Sequence, residues 1–313
     1  KSLYTIRQPN RIIFGMNSIK EFPFEKNSLI ITSSGAKSRG WLDYLNIKDF
    51  QIFDSVEPNP SMETVEKILS EYNQTFSSVI GLGGGSSLDV AKFVANKLKT
   101  KKILIPTTFG SGSEVTRISV LQIDGKKTSF HSNDLFADIS IVDPYFINNA
   151  PFEIIKNSAI DACAQCTEAF DSKLANIYTK FLCEKAFNIL EKALIDETYE
   201  NLAYGAMISG LGFGNSSTTL GHALSYVYSN EGISHGHALS FTTTIAHQFN
   251  NSKFYDRFKF LVDKLNFKPI KLKQNLQDAA KLIQTDRKHL DHNPKNVSND
   301  DVVKLLKLIN SNI

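Results

Sequence analysis

The chain has 313 residues, 42% of them hydrophobic and 21% charged, with a formal net charge of +3 and a pI near 8.5. That balance is ordinary for a globular protein of one or two domains able to bury a sizeable core. It is too mildly basic for a nucleic-acid or anionic-membrane partner. No apolar run approaches the length of a membrane span, and the first residues, KSLYTIRQPNRIIFG, lack the apolar core of a signal peptide, so a cytoplasmic protein is expected.

Residues 3–14 alternate toward Arg11-Ile12-Ile13-Phe14-Gly15, a strand and a turn. Leu29-Ile30-Ile31-Thr32 reads as a buried strand, followed by Ser33-Ser34-Gly35 and a helix through Trp41 to Leu45; Phe50 to Phe53 is another strand. Pro58-Asn59-Pro60 punctuates the chain, Ser61 can cap, and Val65, Ile68 and Leu69 give the next helix its apolar face.

Val79 to Lys92 carries the first functional signal. A β-branched run stops at glycines, and Leu88, Ala91, Ala95 and Leu98 then recur at helical spacing. Gly83, Gly84 and Gly85 place no Cβ against a ligand, Ser86 or Ser87 can cap, and the turn offers backbone N–H groups at the positive end of a helix, which suits phosphate. A tight strand-to-helix turn needs glycine for its own geometry too, and the run misses the last glycine of the dinucleotide fingerprint.

A second loop supports the first. Ile103-Leu104-Ile105-Pro106 reads as the next strand, and it runs into Thr107-Thr108-Phe109-Gly110-Ser111-Gly112-Ser113-Glu114-Val115-Thr116, rich in small hydroxyl donors. Ligands of open α/β sheets sit beyond the carboxyl ends of strands, where both loops fall. Residues 118–131 then read as a hairpin turning at Asp124-Gly125, and Ile139 to Val142 as a strand ending at Asp143-Pro144. Beyond Pro151 long helical patterns take over. The expectation is an α/β domain over residues 1–150 with a mostly parallel sheet, and an all-helical domain over 151–313.

GGGSSLDVAK followed by PTTFGSGSEVT resembles the paired cofactor motifs of the iron-containing (group III, metal-dependent) alcohol dehydrogenases, and the likeness runs on through Asn293-Pro294-Lys295. The resemblance implies the dehydroquinate synthase-like architecture of that family, with NADP or NAD as cofactor. Its first motif would hold the pyrophosphate on Gly83, Gly84, Gly85, Ser86 and Asp89, and its second the nicotinamide side on Thr107, Thr108, Ser111 and Ser113. Family members commonly carry an acid after the threonine that ends the first buried strand; Ser33 stands there, with Lys37 and Arg39 close behind, which favours NADP.

In the helical region, Asp161 and Gln165 are four apart and share a helix face. An aspartate in an apolar helix needs a salt bridge, exposure or a cation to compensate it. Four of the seven histidines fall between 222 and 247, three of them in Gly221-His222-Ala-Leu-Ser-Tyr226 and Ser234-His235-Gly236-His237, and imidazoles with an acid suit a borderline divalent metal. The family resemblance turns this into a ligand set of Asp161, position 165, His222 and His235 for iron or zinc. Gln165 departs from the usual histidine, as in members resembling phosphonoacetaldehyde reductases. His237 is a candidate proton relay or a structural histidine. Cys163 and Cys166 spell CxxC but lack a second pair, so they and Cys183 read as helix-packed thiols.

The expected function is NAD(P)H-dependent, metal-assisted reduction of a small aldehyde to its alcohol, or the reverse, with room for a homodimer. A sugar-phosphate cyclase-like enzyme and a non-catalytic nucleotide-binding homologue are the alternatives. The stretch between His247 and Asn293 is contracted relative to the family, so substrate identity is not carried across.

Overall fold

The structure, a computed structural model, describes residues 3–311. Its contacts divide it into two compact units, Ile6–Ala150 and residues 151–311 with residues 3–5.

The first unit is a six-stranded parallel sheet: β1 (Arg11–Phe14), β2 (Ser28–Thr32), β3 (Phe50–Phe53), β4 (Ser78–Gly83), β5 (Lys101–Pro106) and β8 (Ile139–Val142), ordered β1-β8-β5-β4-β2-β3. The short apolar runs of β2, β4 and β8 are buried along their whole length, because helices cover parallel sheets on both faces. In register Ile30 faces Ile80, and Ile80 faces Ile103. Four helices belong here: α1 (Ser18–Glu21), α2 (Trp41–Leu45), α3 (Met62–Glu71), which Ser61 caps as expected, and α4 (Gly85–Leu98). Leu88, Ala91 and Val94 of α4 pack on Leu29, Val79 and Leu104 of the sheet. The hairpin is β6 (Ile118–Ile123) with β7 (Lys126–His131), turned by Asp124 and Gly125, both at positive φ.

From β2 the chain moves outward to β3, and from β4 it moves the other way to β5. The strand order therefore reverses between β2 and β4. The glycine turn after β4 and the Thr32-Ser33 end of β2 both lie at this switch point, where ligands of such sheets collect.

The second unit is all-helical: α5 (Phe152–Asp171), α6 (Ile177–Asp196), α7 (Leu202–Phe213), α8 (Leu220–Asn230), α9 (His235–Asn250), α10 (Tyr255–Lys264), α11 (Leu276–Gln284), α12 (Arg287–His292) and α13 (Asn299–Ser311). Leu224 and Val227 of α8, Ile283 of α11 and Leu306 of α13 meet in one core. Cys163, Cys166 and Cys183 are buried free thiols; burial pushes Cys166 up to about 12, so they are packing groups. Among the described residues no helix is long and apolar enough to cross a membrane.

Candidate metal and dinucleotide sites

Helix α5 places Asp161 and Gln165 one turn apart on one buried face. Helix α8 brings His222 to them and the first residue of α9 brings His235. One ligand atom from each of Asp161, His222 and His235 lies within 4.8 Å of the other two. Asp161 Oδ1 is 3.5 Å from His235 Nε2 and 4.0 Å from His222 Nε2. Donors that share an ion at about 2.0–2.2 Å lie roughly 3–3.5 Å apart, so a small inward movement suffices.

Two glycines allow this approach. A Cβ on Gly221 would stand 2.6 Å from Glu168 Oε2, and one on Gly236 only 2.1 Å from the Asn157 carbonyl oxygen of α5. These are the close backbone approaches that glycine beside each histidine implies.

Behind the donors lies Glu168, which sequence reasoning did not single out. Its Oε1 accepts from the backbone N–H groups of Thr219 (3.0 Å) and His222 (3.1 Å), at the start of α8. Its Oε2 accepts from His222 Nδ1 (2.9 Å) and the Thr243 hydroxyl (2.7 Å). Burial would push the Glu168 carboxyl up, but the His222 charge and the bonds from His222 and Thr243 outweigh it and hold it down at about 2. Burial likewise presses His222 down, and Glu168, then Asp161 and Asp286, raise it above the usual imidazole range. With Nδ1 committed to Glu168, the Nε2 of His222 faces Asp161. That is the carboxylate–imidazole arrangement that orients metal ligands. The signal in the sequence was an acid seven residues, two helical turns, after Asp161.

Gln165 Nε2 donates to Asp161 Oδ1 at 3.1 Å. In this orientation the amide nitrogen, which has no lone pair to offer, faces the donors, so Gln165 orients Asp161; only with the amide turned over would its oxygen face them. His237 is not brought into the donor group. Its Nε2 is bonded to the Lys268 carbonyl oxygen at 2.6 Å, and its ring lies beside Phe241 and Phe267. A further pair was missed: Asp286 holds His289 Nδ1 at 2.8 and 2.9 Å, and the His289 ring stacks on His222 with centroids 6.1 Å apart. Tyr226 lies against His289.

In the α/β unit, Gly83 adopts φ +151°, a conformation that favours glycine. The glycines also serve the neighbouring loop: a Cβ on Gly84 would meet Thr108 Oγ1 at 3.1 Å, and one on Gly85 would meet Ser111 Oγ at 2.9 Å. The helix begins differently from the expectation. Gly84, not Ser86 or Ser87, occupies the N-cap, and no side chain caps it. Glycine cannot supply a capping oxygen, so the first N–H groups of α4 keep their capacity for an anion. Two hydroxyls beside this turn, Thr32 at the end of β2 and Thr107 after β5, are buried with no hydrogen-bond partner among the described residues. Orphaned buried hydroxyls at a switch point are the acceptors and donors that a ribose or phosphate would satisfy. Ser33 follows Thr32 and is half-buried, Lys37 is exposed, and the Arg39 guanidinium lies over the Trp41 ring at 5.3 Å. Asp89 and Ser113 bond to each other (Ser113 Oγ to Asp89 Oδ1, 2.6 Å).

Two family models cover most of the chain: iron-containing alcohol dehydrogenase over residues 9–144, and the C-terminal model of the Fe-containing alcohol dehydrogenase family over residues 155–285. The chain belongs to the iron-containing alcohol dehydrogenase family. It is 31% identical over 209 residues to 4-hydroxybutyrate dehydrogenase of Clostridium kluyveri, covering 57% of this chain and 56% of that protein. The chain thus spans just over half the length of that curated relative. Sulfoacetaldehyde reductase of Bilophila wadsworthia is 27% identical over 303 residues, covering 83% of this chain and 77% of its own. The crystal structure of sulfoacetaldehyde reductase from Bifidobacterium kashiwanohense in complex with NAD+ superposes over 100% of both chains, with a TM-score of 0.89 at 23% identity, a likeness of fold.

Proposed function

We propose that the chain reduces a small aldehyde to its primary alcohol, or runs the reverse oxidation, with NADPH or NADH and a divalent cation, iron or zinc. The observation that carries this reading is the convergence of Asp161, His222 and His235 in front of Glu168. When bound, the cation supplies Lewis acidity to the carbonyl oxygen and the nicotinamide supplies the hydride.

The chain's own residues do the rest. Asp161, His222 and His235 would hold the cation, with Glu168 keeping His222 in the tautomer that presents Nε2. Gln165 holds Asp161 in place or lends its carbonyl oxygen, a weaker ligand than imidazole. Gly83, Gly84, Gly85 and Ser86 would receive the pyrophosphate, Thr107, Thr108 and Ser111 the nicotinamide end, and Ser33 the adenosine ribose. Thr32, beside Ser33, joins that set through its orphaned hydroxyl. His237 contributes by fixing the Lys268 backbone. A homodimer is a further part of this proposal, which mass in solution tests.

The deciding experiment is metal analysis of protein purified without chelators, alongside oxidation of NADPH and NADH with a panel of small aldehydes before and after adding Fe²⁺ or Zn²⁺. About one equivalent of metal that tracks turnover supports the reading. Bound nucleotide with neither metal nor rescue overturns it in favour of a metal-independent or non-catalytic role.

A further inference from the structure

The α/β unit buries a second charge cluster, one that the aldehyde chemistry does not use. Lys92 is 0% exposed. Its Nζ donates to the Ile118 carbonyl at 2.7 Å and to Thr116 Oγ1 at 3.3 Å, and lies 3.9 Å from Asp89 Oδ1. Asp89 spends both carboxylate oxygens on the protein: Oδ1 accepts from the Ser113 hydroxyl at 2.6 Å and Oδ2 from the Val120 N–H at 3.1 Å. Its backbone carbonyl accepts from the Ser119 hydroxyl at 2.8 Å. Glu114 is buried on the same loop.

Asp89 and Lys92 stand on α4, the helix that starts at the glycine turn, while Ser113 to Val120 carry the second loop into β6. These bonds tie one motif to the other. At the opposite end of the loop, Thr107 N–H donates to the Gly83 carbonyl at 2.9 Å, and Thr108 and Ser111 fill the space beside Gly84 and Gly85. A loop with two glycines would otherwise be costly to order, and ordering it in advance removes that cost from binding. Thr32 and Thr107, the two orphaned hydroxyls, then stand on a preassembled surface.

We propose that Asp89 and Lys92 are positioning residues that clamp the second loop onto the glycine turn, making the two loops one dinucleotide platform, and that Asp89 acts without touching the dinucleotide. This rests on the reading of the two loops as the dinucleotide site. A carboxylate pointing at a pyrophosphate would repel it; the Asp89 oxygens turn instead to Ser113 and Val120, with Lys92 Nζ 3.9 Å away as countercharge.

The clamp also carries a pH dependence. The charged groups acting on Lys92 are Asp89 on its own helix and Glu114 on the loop; its other partners, Thr116 and the Ile118 carbonyl, do not titrate. Burial pulls Lys92 down to about 8 against the pull of Asp89 and Glu114, and burial lifts Glu114 to about 7 against its own backbone bond and Lys92. As pH rises through this window the cluster loses a positive charge and gains a negative one, which opposes an anionic ligand.

The test is titration of NADPH and NADH into the full chain, followed by nucleotide fluorescence, for wild type, Asp89→Asn, Ser113→Ala and the double variant. Loss of a charge-assisted hydrogen bond at the clamp should weaken binding about tenfold to hundredfold. The double variant should be no weaker than Asp89→Asn alone, because both remove one coupling. Wild-type affinity should fall between pH 7 and 8.5, and Lys92→Met should flatten that fall. Ser113→Ala, the mildest change, guards against a misfolded Asp89→Asn, with melting and circular dichroism as controls. Wild-type affinity in both single variants, or additive losses in the double variant, overturns the clamp while leaving the dinucleotide site standing. Absence of binding by wild type overturns the dinucleotide reading itself.

Discussion

Two buried charge clusters, one in each unit, both set carboxylates against a basic side chain and end in opposite electrostatic states. In the helical unit, Glu168 accepts four hydrogen bonds and stays charged at any ordinary pH, and His222 beside it is raised. In the α/β unit, burial drives Glu114 up to about 7 and Lys92 down to about 8, toward neutrality. Hydrogen-bond supply makes the difference, since a carboxylate keeps its charge indoors only where several donors replace water. Exposure differs as well. His235 keeps 35% of its side chain accessible while Lys92 keeps none. The first cluster is open to a ligand; the second is sealed and holds a loop.

The sharpest way to break this contrast is to remove a donor from the open cluster. Asp161→Ala or His222→Ala should take bound metal from about one equivalent to almost none and lower turnover by at least about 10³-fold, with NAD(P)H affinity unchanged; retained turnover in both variants sinks the metal mechanism. Glu168→Gln keeps every ligand but removes the charge that balances His222. It should cost the fold about 3–5 kcal/mol by urea denaturation and weaken metal about tenfold to hundredfold by chelator competition. An effect on stability alone would make Glu168 a packing residue.

Smaller changes sharpen the contrast. Gln165→His adds an imidazole beside Asp161 and should tighten Zn²⁺ about tenfold, measured by competition with a chromogenic chelator; unchanged affinity would show that position 165 does not reach the ion. Ser33→Asp sets a carboxylate at the end of β2 and should shift the NADPH-to-NADH preference about tenfold toward NADH, read from the ratio of dissociation constants.

Toward acid pH the two units should diverge, the helical unit losing the contributions of Glu168 and His247 while the α/β unit keeps that of Glu114, as hydrogen exchange resolved by unit would show. Glu168 at about 2 lies below its ordinary 4.5, so its contribution is present above 4.5 and lost as pH falls toward 2. His247, which burial lowers to about 4 against the pull of Glu168, contributes above 6.5 and loses that contribution as pH falls through 4. Glu114 is raised to about 7, so its contribution is present below 4.5 and lost as pH rises through 7. Lys92, lowered to about 8, works the other way only above pH 8. Parallel loss in both units at acid pH would contradict this assignment.

Much of the scaffold was legible in the residues themselves. The glycine turn, the Asp124-Gly125 hairpin and the i, i+4 pair of Asp161 and Gln165 all follow from backbone rules that act within a few positions. The cap of α4 was not, because choosing Gly84 over the following serines depends on how Thr108 and Ser111 press on the turn. Nor was the fate of His237, whose partner is the carbonyl of Lys268, 31 residues away.

The sequence by itself determined the alternation of strands and helices, the two loops, and the aspartate and histidines able to hold a cation, since propensity, periodicity and side-chain chemistry are local. Only the tertiary structure decided which charges share a buried space. Glu168 meets Thr219, His222 and Thr243 from 51, 54 and 75 residues away, and Asp89 meets Ser113 and Val120 from 24 and 31. A carboxylate becomes a support for a metal ligand or a clamp on a loop according to which distant donors packing delivers to it, and no window of sequence contains that information.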